Sequence, residues 1–378
     1  MKEPTSIHRE AMAIVDDAVM AKLRGDHNLF SELMCKALEK EVEAASLIAG
    51  DFPFEPTRSV LYRSAASIAL QCNKTREAEK LISNALSGNP PDEIADELRD
   101  LLEEINFRRH LEVRGIELEP NEFQLSIAGD DVGYGYANSS QFIERIKDLR
   151  TLIYRTAERI EGITFDESGT PKASLRREFE LYVSMPRAGS FAVSLRLGQL
   201  IQRMLPGTDR TLDIINELFE CVDLYSGDNI ILKNRISDPS YYRNFVALTR
   251  RIAPDGKRIK LVGLTSIIGK KKRQVVLAKP RSDYVLKEYE IEKGKEEKII
   301  TIKGILDYAD ATSIMTPKIK IIDEKNHHHI VNVPPGMMND IVRPMWGAEV
   351  IVVGEIRRDL RRRREIIIDL KKIDKFSE

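Results

Sequence analysis

The stretch Phe179–Gly198, FELYVSMPRAGSFAVSLRLG, constrains the fold more than any other. Phe179, Leu181, Val183 and Met185 alternate with Glu180, Tyr182 and Ser184, and Phe191, Val193, Leu195 and Leu197 alternate with Ala192, Ser194 and Arg196. Period two over both runs predicts a β-hairpin with one apolar face. Pro186 and Gly189 between the runs are turn formers. With both apolar sets on one face, Phe179 is expected opposite Leu197 and Met185 opposite Phe191, since a one-residue slip would invert every side chain. Glu180 then falls level with Arg196, and Tyr182 with Ser194. The plainer reading of Glu180 and Arg196 is a cross-strand ion pair of about 0.2–1 kcal/mol. The sharper one makes Glu180, Tyr182 and Arg196 a polar site.

A hairpin needs layers to cover it, and 378 residues suffice for two or three domains. The expected division is a helical domain at 1–111, a central α+β domain at 112–290 and a small β-barrel at 298–378. Residues 1–111 carry 14 Lys+Arg against 20 Asp+Glu, a net of −6. Residues 298–378 carry 15 against 12, a net of +3. The acidic end disfavours nucleic acid, and the basic end permits it. No apolar run approaches the ~20 residues that span a bilayer, so no membrane contact is expected. MKEPTSIHREAM has no apolar core after its basic residues, as a secretory leader would. Cys35, Cys72 and Cys221 are odd in number and form no CxxC, which fits reduced thiols in a cytoplasm.

Helical periodicity covers 6–24, 27–49, 57–72, 75–87 and 91–105, punctuated by Gly25-Asp26, Asp51-Phe52-Pro53 and Asn89-Pro90. Tyr62, Ala65, Ala66, Ala69, Ala78, Ile82, Ala85 and Pro90 have the spacing of a tetratricopeptide repeat (TPR), with small residues where paired helices cross. Ala18, Ala21, Phe30, Met34 and Ala37 form a looser copy. The resemblance implies stacked helix pairs whose groove takes a protein partner; a plain helical bundle is the other reading.

Past His110 the pattern predicts strands at Leu111–Ile116 and Glu122–Ala128, and a helix over about 140–161 capped by Ser139 or Ser140. Its stripe is Phe142, Ile146, Leu149, Ile153, Ala157 and Ile160. Arg145, Arg150, Arg155 and Arg159 lie off that stripe among acids, which predicts a solvated, ion-paired face. GDDVGYGYANSS is no phosphate loop, because Asp130 and Asp131 would repel a phosphate. Further helices are expected at 199–205, from Thr208 or Asp209 to Tyr225, and from Asp238-Pro239 onward. Strands at 258–267 and 274–278 should flank a basic tip, Lys270, Lys271, Lys272 and Arg273. Irregular alternation of strands and helices makes the class multidomain α+β. The phrases LYRSAAS, MPRAGSFAVSLRLG and APDGKR resemble stretches of bacterial proteins, and that resemblance implies no activity.

Five strand candidates follow the charged stretch 280–297, at about 298–308, 317–323, 328–333, 348–357 and 364–373, with a short helix at Met337–Val342 between the third and fourth. This order resembles the OB-fold, and the resemblance implies single-stranded nucleic acid on strands two and three. Those strands offer Lys318, Lys320, Lys325 and His327–His329 but no aromatic residue. Tyr308 and Trp346 lie nearby, Trp346 being expected to plug the barrel's end. Arg357, Arg358, Arg361, Arg362, Arg363 and Arg364 at the last hairpin tip are the strongest polyanion candidates, or else a solvated tip. His327 and His329 share a strand face near Asp323, but no further ligand at metal spacing supports them.

No catalytic, cofactor-binding or metal motif is recognisable. The leading expectation is therefore a non-enzymatic adaptor or scaffold with a protein partner. Nucleic-acid binding by the barrel is the alternative, and an enzyme with dispersed residues in the central domain the second.

Overall fold

The computed structural model describes residues 3–24, 26–113, 118–119, 121–133, 136–167, 169–184, 191–198, 210–227, 229–268, 271–278, 299–310, 317–358 and 366–376. The fold is mixed α+β, with helices at the N-terminal end and strands in sheets towards the C-terminus. It divides into two compact units, residues 1–115 and 116–378. Among the described residues no helix is long and apolar enough to cross a membrane.

The first unit holds α1 (Pro4–Leu23), α2 (His27–Leu47), α3 (Thr57–Gln71), α4 (Thr75–Leu86) and α5 (Asp92–Val113). Each packs on the next, and α3 also meets α5. Small residues allow this close approach: Ala18, Ala37, Ala65, Ala69, Ala78 and Ala85 are all fully buried. Asp26 caps α2 through Leu29 N–H at 2.9 Å. The buried Arg58 gathers chain ends, donating to Ala49 O at 2.8 Å and Asn84 O at 2.6 Å. These carbonyls lie at helix ends, where intrahelical donors run out; Asn84 O also accepts from Ser87 Oγ at 2.8 Å. The expected strand at 111–116 is corrected over 111–113, which belong to α5; residues 114–116 lie outside the described residues. Earlier in α5, Ile105 and Phe107 are buried and Arg108 bonds Glu104 one turn back at 2.6 Å.

In the second unit β1 (Glu122–Ala128) is the central strand of a five-stranded antiparallel sheet. It pairs with β5 (Phe191–Leu197) on one side and β6 (Leu261–Ile268) on the other. The outer strands are β4 (Leu181–Val183) and β7 (Lys271–Leu277). A small hairpin, β2 (Val132–Gly133) with β3 (Tyr136–Ala137), occupies the GDDVGYGYANSS stretch. Gly129 before it has φ +149°, and a Cβ there would meet Arg258 O at 2.4 Å. The helices are α6 (Ser139–Ile160), α7 (Ala173–Glu178), α8 (Arg210–Gly227), α9 (Asn229–Arg235) and α10 (Pro239–Ile252). Asp238 caps α10 through Ser240 N–H at 2.8 Å. Asn138, not a serine, caps α6, through Gln141 N–H at 3.2 Å. The helix expected at 199–205 and the cap at Thr208 or Asp209 lie outside the described residues.

The hairpin forms one edge of the sheet, and its expected register needs a correction of two residues: Leu181 faces Leu197, Tyr182 faces Arg196 and Val183 faces Leu195; Met185 lies outside the described residues. A shift of two keeps every side chain on its own face, so alternation cannot detect it. Phe179 closes α7 instead, its N–H on Leu175 O at 2.8 Å, which shortens the strand. The expected basic tip is also corrected, because Lys271, Lys272 and Arg273 lie within β7; Lys270 is outside the described residues.

The remaining strands close into a barrel: β8 (Ile299–Asp310), β9 (Lys318–Asp323), β10 (His328–Asn332), β11 (Glu349–Arg358) and β12 (Ile366–Lys375). Long β8 pairs with β11 through its first half and with β9 through its second. Gly304 sits at the changeover, where a Cβ would lie 2.2 Å from Ile322 O. A π-helical turn at Met338–Val342 links β10 to β11.

Candidate functional site

Where β8 meets β9, Leu306 faces Ile321 and Tyr308 faces Lys320, leaving Asp307 as the extra residue of a β-bulge. In an unbroken strand Tyr308 would follow Leu306 into the barrel. The bulge turns it outward, where it is 54 % exposed. The freed Asp307 carbonyl accepts the Trp346 indole N–H at 3.0 Å. Trp346 was expected to plug the barrel; it is 70 % exposed, with its polar edge anchored and its face bare. Lys320, opposite Tyr308 on one side and Ile330 of β10 on the other, also contacts the Asp307 carboxylate. Ile305 and Ile330 are exposed on this face. Two bare aromatic rings, aliphatic neighbours and a lysine thus share the outer surface of β8, β9 and β10.

At one end of this face Asp323 accepts from His329 Nε2 at 3.0 Å and His327 Nδ1 at 3.2 Å. The His329 bond, with the His327 backbone N–H, holds its carboxyl well below the usual range. Among the described residues no cluster of three or more His, Cys, Asp and Glu is placed to hold a metal ion. Arg357 and Arg358 are the last residues of β11; Arg361, Arg362, Arg363 and Arg364 lie outside the described residues.

A second feature is an open cleft of about 660 Å³ beside α8. Asp213, Glu217 and Glu220 line it at helical spacing, facing Arg235, Lys272 and Arg273. Glu217 takes Arg159 and Arg235 at 2.6 Å each, and Arg273 reaches Glu220 at 2.8 Å. Burial pushes the Glu217 carboxyl up, but the arginine hydrogen bonds outweigh it and hold it at about 2. Burial, with the Glu217 charge, pushes the Cys221 thiol up to about 12. Neither group exchanges protons near neutrality: Glu217 belongs to an ion-paired wall and Cys221 is a neutral thiol beside it, so the two are no acid–base pair.

The sequence missed a third feature. The arginine face of α6, expected in solvent, is partly core: Arg145 and Arg155 are almost wholly buried. Arg155 donates to Asp340 at 2.8 Å, Glu158 at 3.0 Å and Gly169 O at 3.0 Å, and stacks on Phe165 at 4.2 Å. Asn244 of α10 also donates to Asp340 at 2.9 Å. Arg250 grips Asp374 of β12 at 2.7 and 3.0 Å. These bonds pin the barrel's π-helical turn and last strand to α6 and α10. Of the interleaved acids, Glu158 is a buried partner of Arg155; the other carboxylate, Asp340, was hidden by its distance of 185 residues in sequence.

Of the hairpin residues, Tyr182 and Arg196 are brought face to face. Glu180 lies just before β4, and Glu122 of β1 is the acid near Arg196, at 3.9 Å. No protein-family model, curated protein or solved structure matches the chain.

Proposed function

We propose that the chain is an adaptor with two working surfaces: a barrel face that holds single-stranded nucleic acid, and a helical unit that docks a protein. The observation that carries the first half is the exposed pair Trp346 and Tyr308 flanking Asp307, in line with Lys320. Bases stack on such rings regardless of sequence, while lysines meet the phosphates. An OB-like reading of residues 298–378 is supported by the strand order, in which the third strand, β10, pairs parallel with the fifth, β12. Because those two run parallel, β12 starts on the side of the barrel where β10 starts, at His328. Arg361, Arg362, Arg363 and Arg364 precede β12 in the sequence and would add positive charge.

The second half rests on the helical unit. Its stacked helix pairs and buried alanines support the TPR-like reading. Phe52 and Phe54 between α2 and α3 are more than half exposed, an apolar corner suited to a partner's side chain. A reducing, cytoplasmic setting goes with the proposal, since Cys35, Cys72 and Cys221 are free thiols. The enzymatic alternative draws no support from the α8 cleft, whose resolved shifts move away from neutrality.

Fluorescence anisotropy of a labelled oligo(dT) or oligo(U) with the full chain tests the first half. Affinity should fall with salt at about −0.7 per contacted phosphate on a double-logarithmic plot. No binding at low salt defeats the reading. For the second half, Phe52→Ser with Phe54→Ser should lose a partner that the unsubstituted chain retains; identical capture defeats it.

A further inference from the structure

Stacking on a bare ring is indifferent to the base, but the rings on the barrel's outer face adjoin a group that is not. The Asp307 side chain is 42 % exposed and lies against the Lys320 ammonium. Tyr308 follows it in the chain, and Trp346 is held to the same residue by its indole N–H on the Asp307 carbonyl at 3.0 Å. Among the described residues, Lys320 is the one side chain that meets the Asp307 carboxylate, and neither ring touches another ring. Two open ring faces, a carboxylate and an ammonium are thus gathered at one exposed point.

A carboxylate on a face that meets phosphates is unfavourable unless it meets donors of the bases instead. Its contact with Lys320 leaves acceptor sites on Asp307 and N–H donors on Lys320 for a ligand. Bases of single strands are read on their Watson–Crick edges. Guanine offers two adjacent donors there, N1–H and N2–H, followed by the acceptor O6. Adenine would set its N1 lone pair against the carboxylate. Cytosine has one donor group beside two acceptors, and thymine or uracil holds a single N–H between two carbonyls. Only guanine matches an acceptor pair next to a donor.

We propose that Asp307 and Lys320 select guanine in a single strand whose bases stack on Trp346 and Tyr308. The carboxylate accepts from N1–H and N2–H, and the ammonium donates to O6. This rests on the nucleic-acid reading of the same face and deepens it: the rings supply affinity, and the ion pair supplies the preference. The other carboxylate at the end of this face, Asp323, is already taken by His329 at 3.0 Å and His327 at 3.2 Å.

The test compares affinities, by fluorescence anisotropy of the full chain with labelled oligo(dT) strands that differ at one central position. A strand with guanine there should bind about tenfold tighter than one with adenine, cytosine or thymine, as a bidentate base contact discriminates. Inosine, which lacks the N2 amino group, should lose most of that advantage, and this comparison needs no variant. Asp307→Asn should level the four bases; it keeps the backbone carbonyl that anchors Trp346. Equal affinity for all strands overturns the guanine selection and leaves the nucleic-acid reading standing. Inosine bound as tightly as guanine overturns it too, as does a guanine preference undiminished in Asp307→Asn. No binding by any strand at low salt defeats both the selection and the reading beneath it.

Discussion

Two sets of buried polar groups in the second unit differ in whether their hydrogen bonds are met. Around Arg155 the guanidinium bonds Asp340, Glu158 and Gly169, and Asn244 shares Asp340. Across one face of the five-stranded sheet, Ser194, Gln124, Thr265 and Gln274 each leave a buried polar atom unmet. Burial and polarity are common to both. A met group holds the fold; an unmet one costs stability.

The largest effect that can break this comparison is at Arg155. Arg155→Met strands Asp340 and Glu158 without their guanidinium, and removing one member of a buried pair costs about 3–5 kcal/mol. Urea denaturation reads it, and a loss under 1 kcal/mol would place the network outside the framework of the fold. Next is Glu217, gripped by Arg159 and Arg235 in the α8 cleft. Glu217→Gln should cost about 1.5–3 kcal/mol, as for hydrogen bonds to charged groups. The folded-state carboxyl titrates at about 2, below its ordinary 4.5. Its contribution is therefore present above that ordinary value and is lost as pH falls through it towards 2. The mutational difference should shrink over that window, and a difference constant with pH would contradict the pairing. The smallest effect has the opposite sign. Thr265→Val should change stability by 0 to about 1 kcal/mol in the favourable direction. A loss above 2 kcal/mol would mean that its hydroxyl has a structural partner.

Much of the fold was legible because local signals agreed with it. The five N-terminal helices follow from apolar spacing and proline or glycine breaks, and the barrel strands from alternation around PPGMMNDIVRPMWG. Strand β1 coincides with the expected Glu122–Ala128. The failures were long-range. The hairpin register was ambiguous by two because such a shift leaves both faces unchanged. Arg155 looked solvated because its partner Asp340 is 185 residues away. The polar row escaped notice because Ser194, Gln124, Thr265 and Gln274 align only once four strands are in register; each alone reads as an ordinary outward residue. Trp346 was misplaced because a bulge at Asp307, invisible in the pattern, creates its anchor.

The central claim is that the barrel's outer face meets a nucleic acid. Trp346 is the single tryptophan of the chain, so its fluorescence reports on that face alone. Titration with an unlabelled single-stranded oligonucleotide should quench the emission in a saturable manner, and added salt should restore it. Emission unchanged by saturating oligonucleotide at low salt would contradict the account.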